Sequence, residues 1–560
     1  MDNQITVKEL LESYDEITIK KEITKEIFII KLYEKEFLFV APLHEDPTSS
    51  TAVFLYNDSG VSIPHIMLQD ESCLNIKNLP QGKYRWVCLY ENESVVNSII
   101  PYEDKVIDAI NRLLELLSMN NFEKEREFQK EFMFYWNNQS VGYNKFDIYL
   151  SQEQRFSKMC VYYNQYNVRL IERSLYLKDI DQRKNTKRIW VEHLESDAYY
   201  IPISDCRGIL PPHRGHFWTV QDVRNIVYAK QIEHISDETY SALKNTYSNT
   251  RTNILVFGMH SNVMNIVFAV KLICKHAKKG SLMNKIQNDC IAVEPLETHR
   301  KDYLYLCKQI GNDIGIMKKK ILIVGAGSLG SYVISEIVKN GATNVRIYDG
   351  DILEDENICR WAYGGLGKGS NKAKTIEFLL NLLHPEINVE GIPSNIDEKT
   401  ILEEAQQSDL IIFTVGSSDI QLKFNKILKN NACTTPTIFV WLEAGGQYSH
   451  ILIVNYSKKG CFECLYTNEK GDLINNRAQL NLVEDEKNYL IRNGCGGTRA
   501  AYGTSIILRT TAVLLNVIKK IQENEFAENI LLDISPNDVK VSDTPFPMEA
   551  CGCCGNKKLE

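Results

Sequence analysis

Three glycines and a handful of cysteines carry most of the chemistry this sequence offers. Gly325, Gly327 and Gly330 form a G-x-G-x-x-G run between the apolar segment KKKILIV and the helical pattern SYVISEIVKNGA. Glycines at such a junction permit a tight turn and close backbone approach, and the helix N-terminus that follows favours a phosphate. Alone, the run fits a dinucleotide enzyme as readily as any other nucleotide binder. Two C-x-x-C pairs, Cys461–Cys464 and Cys551–Cys554, supply four thiolates, the number that closes a tetrahedral zinc site, with Cys553 as a spare ligand. Cys495 stands apart in IRNGCGGTRAAYGTS. Glycines flank it, a long helix follows, and Arg499 lies one turn away, so the setting favours a thiolate nucleophile. The rival is Cys433 in NNACTTP, which also reads as a small buried hydrophobe.

The charged residues after the glycine turn narrow the ligand. Asp349 and Asp351 end the strand pattern NVRIYDGD, where a carboxylate suits a ribose hydroxyl, a group that ATP and NAD share. Arg360 and Lys372 follow, and two cations suit a triphosphate better than a nicotinamide. With Asn357, these residues resemble the D-x-D, S-N-L-x-R-Q and G-x-x-K motifs of the ubiquitin-activating superfamily, which includes the adenylyltransferases of thiamine and molybdopterin biosynthesis. The resemblance covers roughly 316–560. It implies an ATP and Mg2+ site with Asp351 on the ribose side and Asn357, Arg360 and Lys372 around the phosphates. It also implies a homodimer, because the arginine of that superfamily often reaches across from a second adenylation domain. An aspartate near the metal usually follows the next strand. Here the match falls on Asp419 in a shifted position, which leaves Asp419 open between metal ligand and solvated surface. The same resemblance places paired C-x-x-C motifs around zinc (Zn2+), and gives Cys495 the activated acyl group as thioester or persulfide.

The N-terminal part holds Pro64-His65 shortly before Cys73-Leu74. This resembles bacterial ubiquitin-conjugating enzymes, where a His-Pro or Pro-His element precedes the catalytic Cys-Leu. In those an acidic-aromatic stretch then ends in Tyr-Trp, here Glu131 to Trp136. The resemblance implies that Cys73 accepts a thioester from Cys495, with Cys88 as the alternative, and that His65 orders the loop. An activating domain behind its own conjugating domain resembles the fused ligases of bacterial anti-phage CBASS operons. Those join the C-terminus of a cyclic-nucleotide synthase (a CD-NTase) to an amine-bearing target; bacterial ubiquitin-like conjugation systems share the arrangement. Three other classes stand beside this one. A sulfur-transfer adenylyltransferase uses the same adenylate. A nucleotide-binding regulator leaves Arg360, Lys372 and Cys495 without a shared purpose, and an NAD-dependent dehydrogenase gives no reason for the C-x-x-C pairs.

The elements that must position these residues fall into three textures. Residues 1–140 read as an α+β, conjugating-enzyme-like module: strand patterns FIIKLY, FLFVAPL and TAVFLY, then the helical DKVIDAINRLLELLSM. Residues 141–315 read as a mixed α/β middle domain, with AYYIPIS and TNILVFGM as strands, NVMNIVFAVKLICKHAKK as an amphipathic helix and DCRGILPPHRGHFW as loop. Residues 316–560 alternate strand and helix, which predicts a doubly wound, mostly parallel sheet. At 560 residues, 44% apolar and 24% charged, the chain has the composition of a folded protein of several domains. A net charge of -8 argues against a nucleic-acid scaffold. An acidic start without an apolar run, and no stretch of ~20 apolar residues, predict neither secretion nor membrane insertion. With fifteen cysteines, that implies reduced thiols and a cytoplasmic protein.

Overall fold

The computed structural model describes residues 5–57, 63–66, 76, 78–90, 97–139, 145–151, 153–163, 167–172, 191–192, 196–212, 218–228, 233–260, 265–311, 314–383, 386–467, 478, 490–492, 498–523, 528–535, 539–541, 551 and 554. The chain divides into two compact units, Met1–Lys301 and Asp302–Glu560. Among the described residues no helix is long and apolar enough to cross a membrane.

Among its described residues the first unit contains two large sheets and a two-stranded pairing of Tyr247–Ser248 with Gly280–Ser281. Strands β1 (Ile17–Thr24), β2 (Ile27–Leu32), β3 (Lys35–Val40), β4 (Ala52–Tyr56) and β5 (Tyr84–Val87) form an antiparallel meander in sequence order. Its alternation puts Phe28, Ile30, Phe37 and Phe39 on one face, against helices α1 (Val7–Glu12) and α2 (Tyr102–Ser118). Thr6 and Glu9 close a capping box that starts α1. Helices α3 (Asn121–Lys130) and α4 (Phe132–Gln139) follow.

The larger sheet uses β6 (Lys145–Tyr149), β7 (Ser157–Tyr163), β8 (Asn167–Glu172), β9 (Ser196–Ile203), β10 (Thr252–His260), β11 (Asn265–Cys274), β12 (Cys290–Leu296) and β13 (Thr298–Arg300), in the order β12-β11-β10-β9-β7-β8-β6-β13. Phe132 and Trp136 of α4 pack on one face of it with helices α5 (Val220–Val227) and α6 (Asp237–Asn245). The segment NVMNIVFAVKLICKHAKK, read as an amphipathic helix, contributes β11, a strand paired with β10 and β12. Apolar residues stand at almost every position from Ile266 to Cys274, so the period does not separate helix from strand. The β-branched and aromatic content, buried from both faces, decides for strand.

The second unit is a doubly wound sheet. Strands β14 (Lys320–Val324), β15 (Asn344–Tyr348), β16 (Asn388–Ile392), β17 (Leu410–Phe413), β18 (Thr437–Leu442) and β19 (Ser449–Val454) precede a hairpin of β20 (Leu490–Arg492) and β21 (Thr498–Ala500). Then come β22 (Ile530–Ile534) and β23 (Val539–Val541). The sheet runs β16-β15-β14-β17-β18-β19-β22-β23; its first five strands are parallel and the rest antiparallel. Helices α7 (Ser328–Lys339), α8 (Lys372–Leu383) and, later, α11 (Thr504–Gln522) cover one face. Helices α9 (Glu398–Gln407) and α10 (Ser418–Asn430) cover the other. Strands buried on both faces explain the continuous apolar runs ILIV, LIIF and TIFVWL. The strand order turns between β14 and β17, and in such sheets ligands bind outside the carboxyl ends of the strands at that point.

Candidate functional site

The glycine turn links β14 to α7 at that crevice. Gly325 has φ +105°, a left-handed conformation that favours glycine. A Cβ on Gly330 would lie 2.2 Å from the Gly325 carbonyl oxygen, so helix and strand approach closer than any other residue allows. A Cβ on Gly327 would meet no heavy atom within 4 Å, so the space before the α7 N-terminus is open. Two residues beyond the sequence expectation hold this turn. Thr414, just after β17, donates its hydroxyl to the Gly325 carbonyl at 2.8 Å, and Trp361, 2% exposed, donates Nε1 to the Ala326 carbonyl at 2.9 Å.

The strand-end acids occupy different positions. The Asp349 carboxylate accepts the Ala326 and Asp351 backbone N–H groups at 2.6 and 2.8 Å, and burial raises it above the usual carboxylate range. It orders the turn from beneath. Asp351 is solvent-facing and pairs with the nearly buried Lys372 ammonium at 2.9 Å, Lys372 being the first residue of α8. Asn371 ties the two acids together, donating Nδ2 to the carbonyls of Asp349 and Asp351, and caps α8 by accepting the Lys374 N–H. An asparagine before an apolar helical run is an N-cap signal, so Asn371 was findable.

Asn357 and Arg360 lie on the short 3-10 helix Asp355–Arg360. Asn357 accepts the Glu354 N–H at 3.3 Å, a local cap. The Arg360 guanidinium stands over the Tyr502 ring at 5.2 Å. Asp419 is exposed in the first turn of α10. Thus the structure gathers Gly325, Gly327, Gly330, Asp349, Asp351 and Lys372 at one strand-end crevice.

The four predicted metal ligands converge. The sulfurs of Cys461, Cys464, Cys551 and Cys554 all lie within 4.8 Å of one another, with Cys464 and Cys551 3.2 Å apart. Polar N–H groups point at the cluster: Asn425 Nδ2 to Cys461 at 3.4 Å, the Cys461 N–H to Cys464 at 3.4 Å, and the Cys554 N–H to Cys551 at 3.1 Å. Contact with the Cys461 sulfur drives the Cys464 and Cys551 thiols far above their usual range, since crowded thiolates repel without a cation. A closed all-thiolate set with N–H donors behind it matches a structural zinc site.

In the first unit the Pro64–Ile66 turn is held by the helices behind it. His65, at φ +63°, places Nδ1 2.8 Å from Glu131 and Nε2 3.3 Å from Glu127, while its N–H reaches the second Glu131 oxygen at 3.2 Å. Ile66 donates its N–H to the Tyr135 hydroxyl at 3.2 Å. Burial opposes charge on His65, yet the two glutamates raise it above its ordinary value. Cys88, half-buried just past β5, donates its N–H to the His65 carbonyl at 2.7 Å. Cys433 is half-buried against the α10 core, and burial raises its thiol. Cys73, Cys495 and Cys553 lie outside the described residues.

The ThiF family matches residues 312–552. The ATP-dependent ubiquitin transferase-like protein Cap2 of Pseudomonas aeruginosa is 24% identical over 229 residues, 40% of this chain and 40% of that protein. The adenylyltransferase and sulfurtransferase UBA4 of Vanderwaltozyma polyspora is 21% identical over 197 residues, 34% of this chain and 44% of that protein. The E. coli MccB structure is 19% identical with a TM-score of 0.34, covering 46% of this chain and 69% of that chain. The chain spans less than half the length of these two curated relatives.

Proposed function

Because the chain carries a ThiF family domain over residues 312–552, we propose that it adenylates the C-terminal carboxylate of a protein and passes the acyl group to thiols. The observation that carries this reading is the crevice where an open glycine turn meets the Asp351–Lys372 pair. A carboxylate oxygen of the substrate attacks the α-phosphorus of ATP, the bond to the bridging oxygen breaks, and pyrophosphate leaves. Lys372 and Arg360 offset charge on the departing phosphates, and Asp351 serves the ribose. Mg2+, when bound with ATP, supplies further charge neutralisation there, with Asp419 as one acid within the motif. The Cys495 thiolate then attacks the acyl carbon of the mixed anhydride and expels AMP. Exchange onto the Cys73 thiolate frees Cys495. Attack by a target amine forms an amide, the amine loses a proton, and Cys73 leaves as thiolate. Cys461, Cys464, Cys551 and Cys554 would hold zinc, which would supply a structural cross-link and take no part in the transfer steps.

The conjugated protein, on this reading, is a CD-NTase primed in CBASS defence, and the enzyme works as a homodimer through its adenylation domain. The Cap2 likeness supports conjugation of the ubiquitin-transferase-like kind, for which a bacterial ubiquitin-like protein is the alternative substrate. A second reading, sulfur transfer onto the adenylated tail, draws support from the UBA4 likenesses. ATP-dependent pyrophosphate exchange and non-reducing gels with tailed partners test both. Conjugation requires thiol-labile adducts that vanish in Cys495→Ala and accumulate on Cys495 in Cys73→Ala. Sulfur transfer that survives Cys73→Ala selects the second reading, and no exchange with any tailed partner sinks both.

A further inference from the structure

Arg360 ends an element that cannot place it alone. None of the six residues of the 3-10 helix Asp355–Arg360 is buried, so the helix sinks no side chain of its own into the core. It is slung between two core residues, Leu353 before it at 1% exposed and Trp361 directly after it at 2%. Leu353 is tied toward the Lys372 side of the crevice: its N–H donates to the Ser370 carbonyl, and its own carbonyl accepts the Gly369 N–H, both at 2.9 Å. Trp361 is tied to the glycine turn, through Nε1 on the Ala326 carbonyl. Ala362 adds a second tie, donating its N–H to the Ser331 hydroxyl oxygen at 3.1 Å. Ser331 lies on α7, is fully buried, and donates its hydroxyl to the Ser328 carbonyl at 2.9 Å. The two residues after Arg360 are therefore fastened to the turn and to the helix that follows it. Trp361 is also where the chain departs from the S-N-L-x-R-Q motif, whose last residue is glutamine.

We propose that Trp361 is a positioning residue: it fixes Arg360 relative to the glycine turn, so that the guanidinium meets the β- and γ-phosphates of ATP already in place. The proposal rests on the adenylation reading, in which Arg360 faces the departing phosphates. An indole has few rotatable bonds and a single donor, so burial and one hydrogen bond immobilise it. The backbone of Arg360 is then set before the ligand arrives, and less freedom is lost on binding. The stack on Tyr502 restrains the guanidinium itself in the same sense. Because AMP lacks the β- and γ-phosphates, the benefit belongs to the triphosphate alone.

The test measures the ATP·Mg2+ and AMP affinities of the full chain by calorimetry, with no protein partner. Trp361→Phe keeps an aromatic ring in the core and removes the donor to Ala326. It should weaken ATP about fivefold to tenfold and leave AMP unchanged. Arg360→Ala should show the same selectivity, and adding Trp361→Phe to it should weaken ATP no further. Ser331→Ala removes the tie to Ala362 and should also weaken ATP while sparing AMP; it decides the matter if Trp361→Phe does not fold. A merely structural role predicts another pattern, because a disturbed glycine turn loses ATP and AMP alike, both carrying the α-phosphate. Equal losses of the two nucleotides, a native ATP affinity in the variants, or a full additional loss in the Arg360→Ala background overturns the proposal. A native chain that binds no ATP sinks the adenylation reading instead, so the two failures are distinct.

Discussion

Among the described residues, His450 and His65 each stand between two carboxylates, and their settings differ. His450 on β19 is fully buried, with Nε2 2.7 Å from Glu443 and Nδ1 2.7 Å from Asp533, and Trp441 stacks on its ring at 4.8 Å. His65 has the same partner types, Glu127 and Glu131, but a quarter of its side chain is exposed. Burial opposes charge in both, and the paired acids raise both above the ordinary histidine value. The comparison teaches that one interaction motif does two jobs. In the second unit it clasps adjacent strands where water cannot compensate a loss. In the first it fastens a turn that water can still reach, so its energy is small and its influence local.

That contrast can be broken by substitution. His450→Ala leaves Glu443 and Asp533 facing each other unneutralised and should cost about 3–5 kcal/mol, read as a lowered urea midpoint. A loss no larger than that of a surface ion pair would remove the distinction. Glu443→Gln keeps a hydrogen-bonding group but deletes a charge, so about 1–3 kcal/mol is expected in the same assay. Tyr135→Phe strips the acceptor from the Ile66 N–H and should cost about 1 kcal/mol, with faster amide exchange at Ile66. His65→Gln should cost only about 0.2–1 kcal/mol. Its signature is the pH dependence. Because the folded value is raised, the native contribution is complete below the ordinary value of 6.5 and fades as pH rises through the raised one. The variant should therefore match the native chain at pH well above that value and fall below it under acid conditions. A gap that grows with pH would reverse the assignment.

How far the sequence disclosed the molecule depends on how local each signal was. The glycine turn, the alternating strands and helices of the second unit, and the cysteine pairs are short-range patterns fixed by backbone sterics and ligand count, and they match the observed elements. Strand β11 was lost because nearly every residue of it is apolar, leaving no period to read. Thr414 and Trp361 were invisible for another reason. Each acts on a carbonyl of the glycine turn from a distant point in the chain, Thr414 from 89 residues away and Trp361 from 35. Likewise, nothing local in SHILIV foretells that His450 meets Asp533 83 positions on. Asn357 carried a motif but spends its side-chain oxygen on its own turn.

The sulfur cluster has one further consequence. Cys461 and Cys551 are 90 positions apart, yet their sulfurs lie 3.7 Å from one another. A cation bridging them makes everything between into a tethered ring, and ring closure of that length removes about 4 kcal/mol of chain entropy from the unfolded ensemble. The β20–β21 hairpin, helix α11 and strand β22 all belong to that ring. A chelator would therefore loosen helix α11 and strand β22 at long range, by cutting the drawstring that closes the ring they belong to.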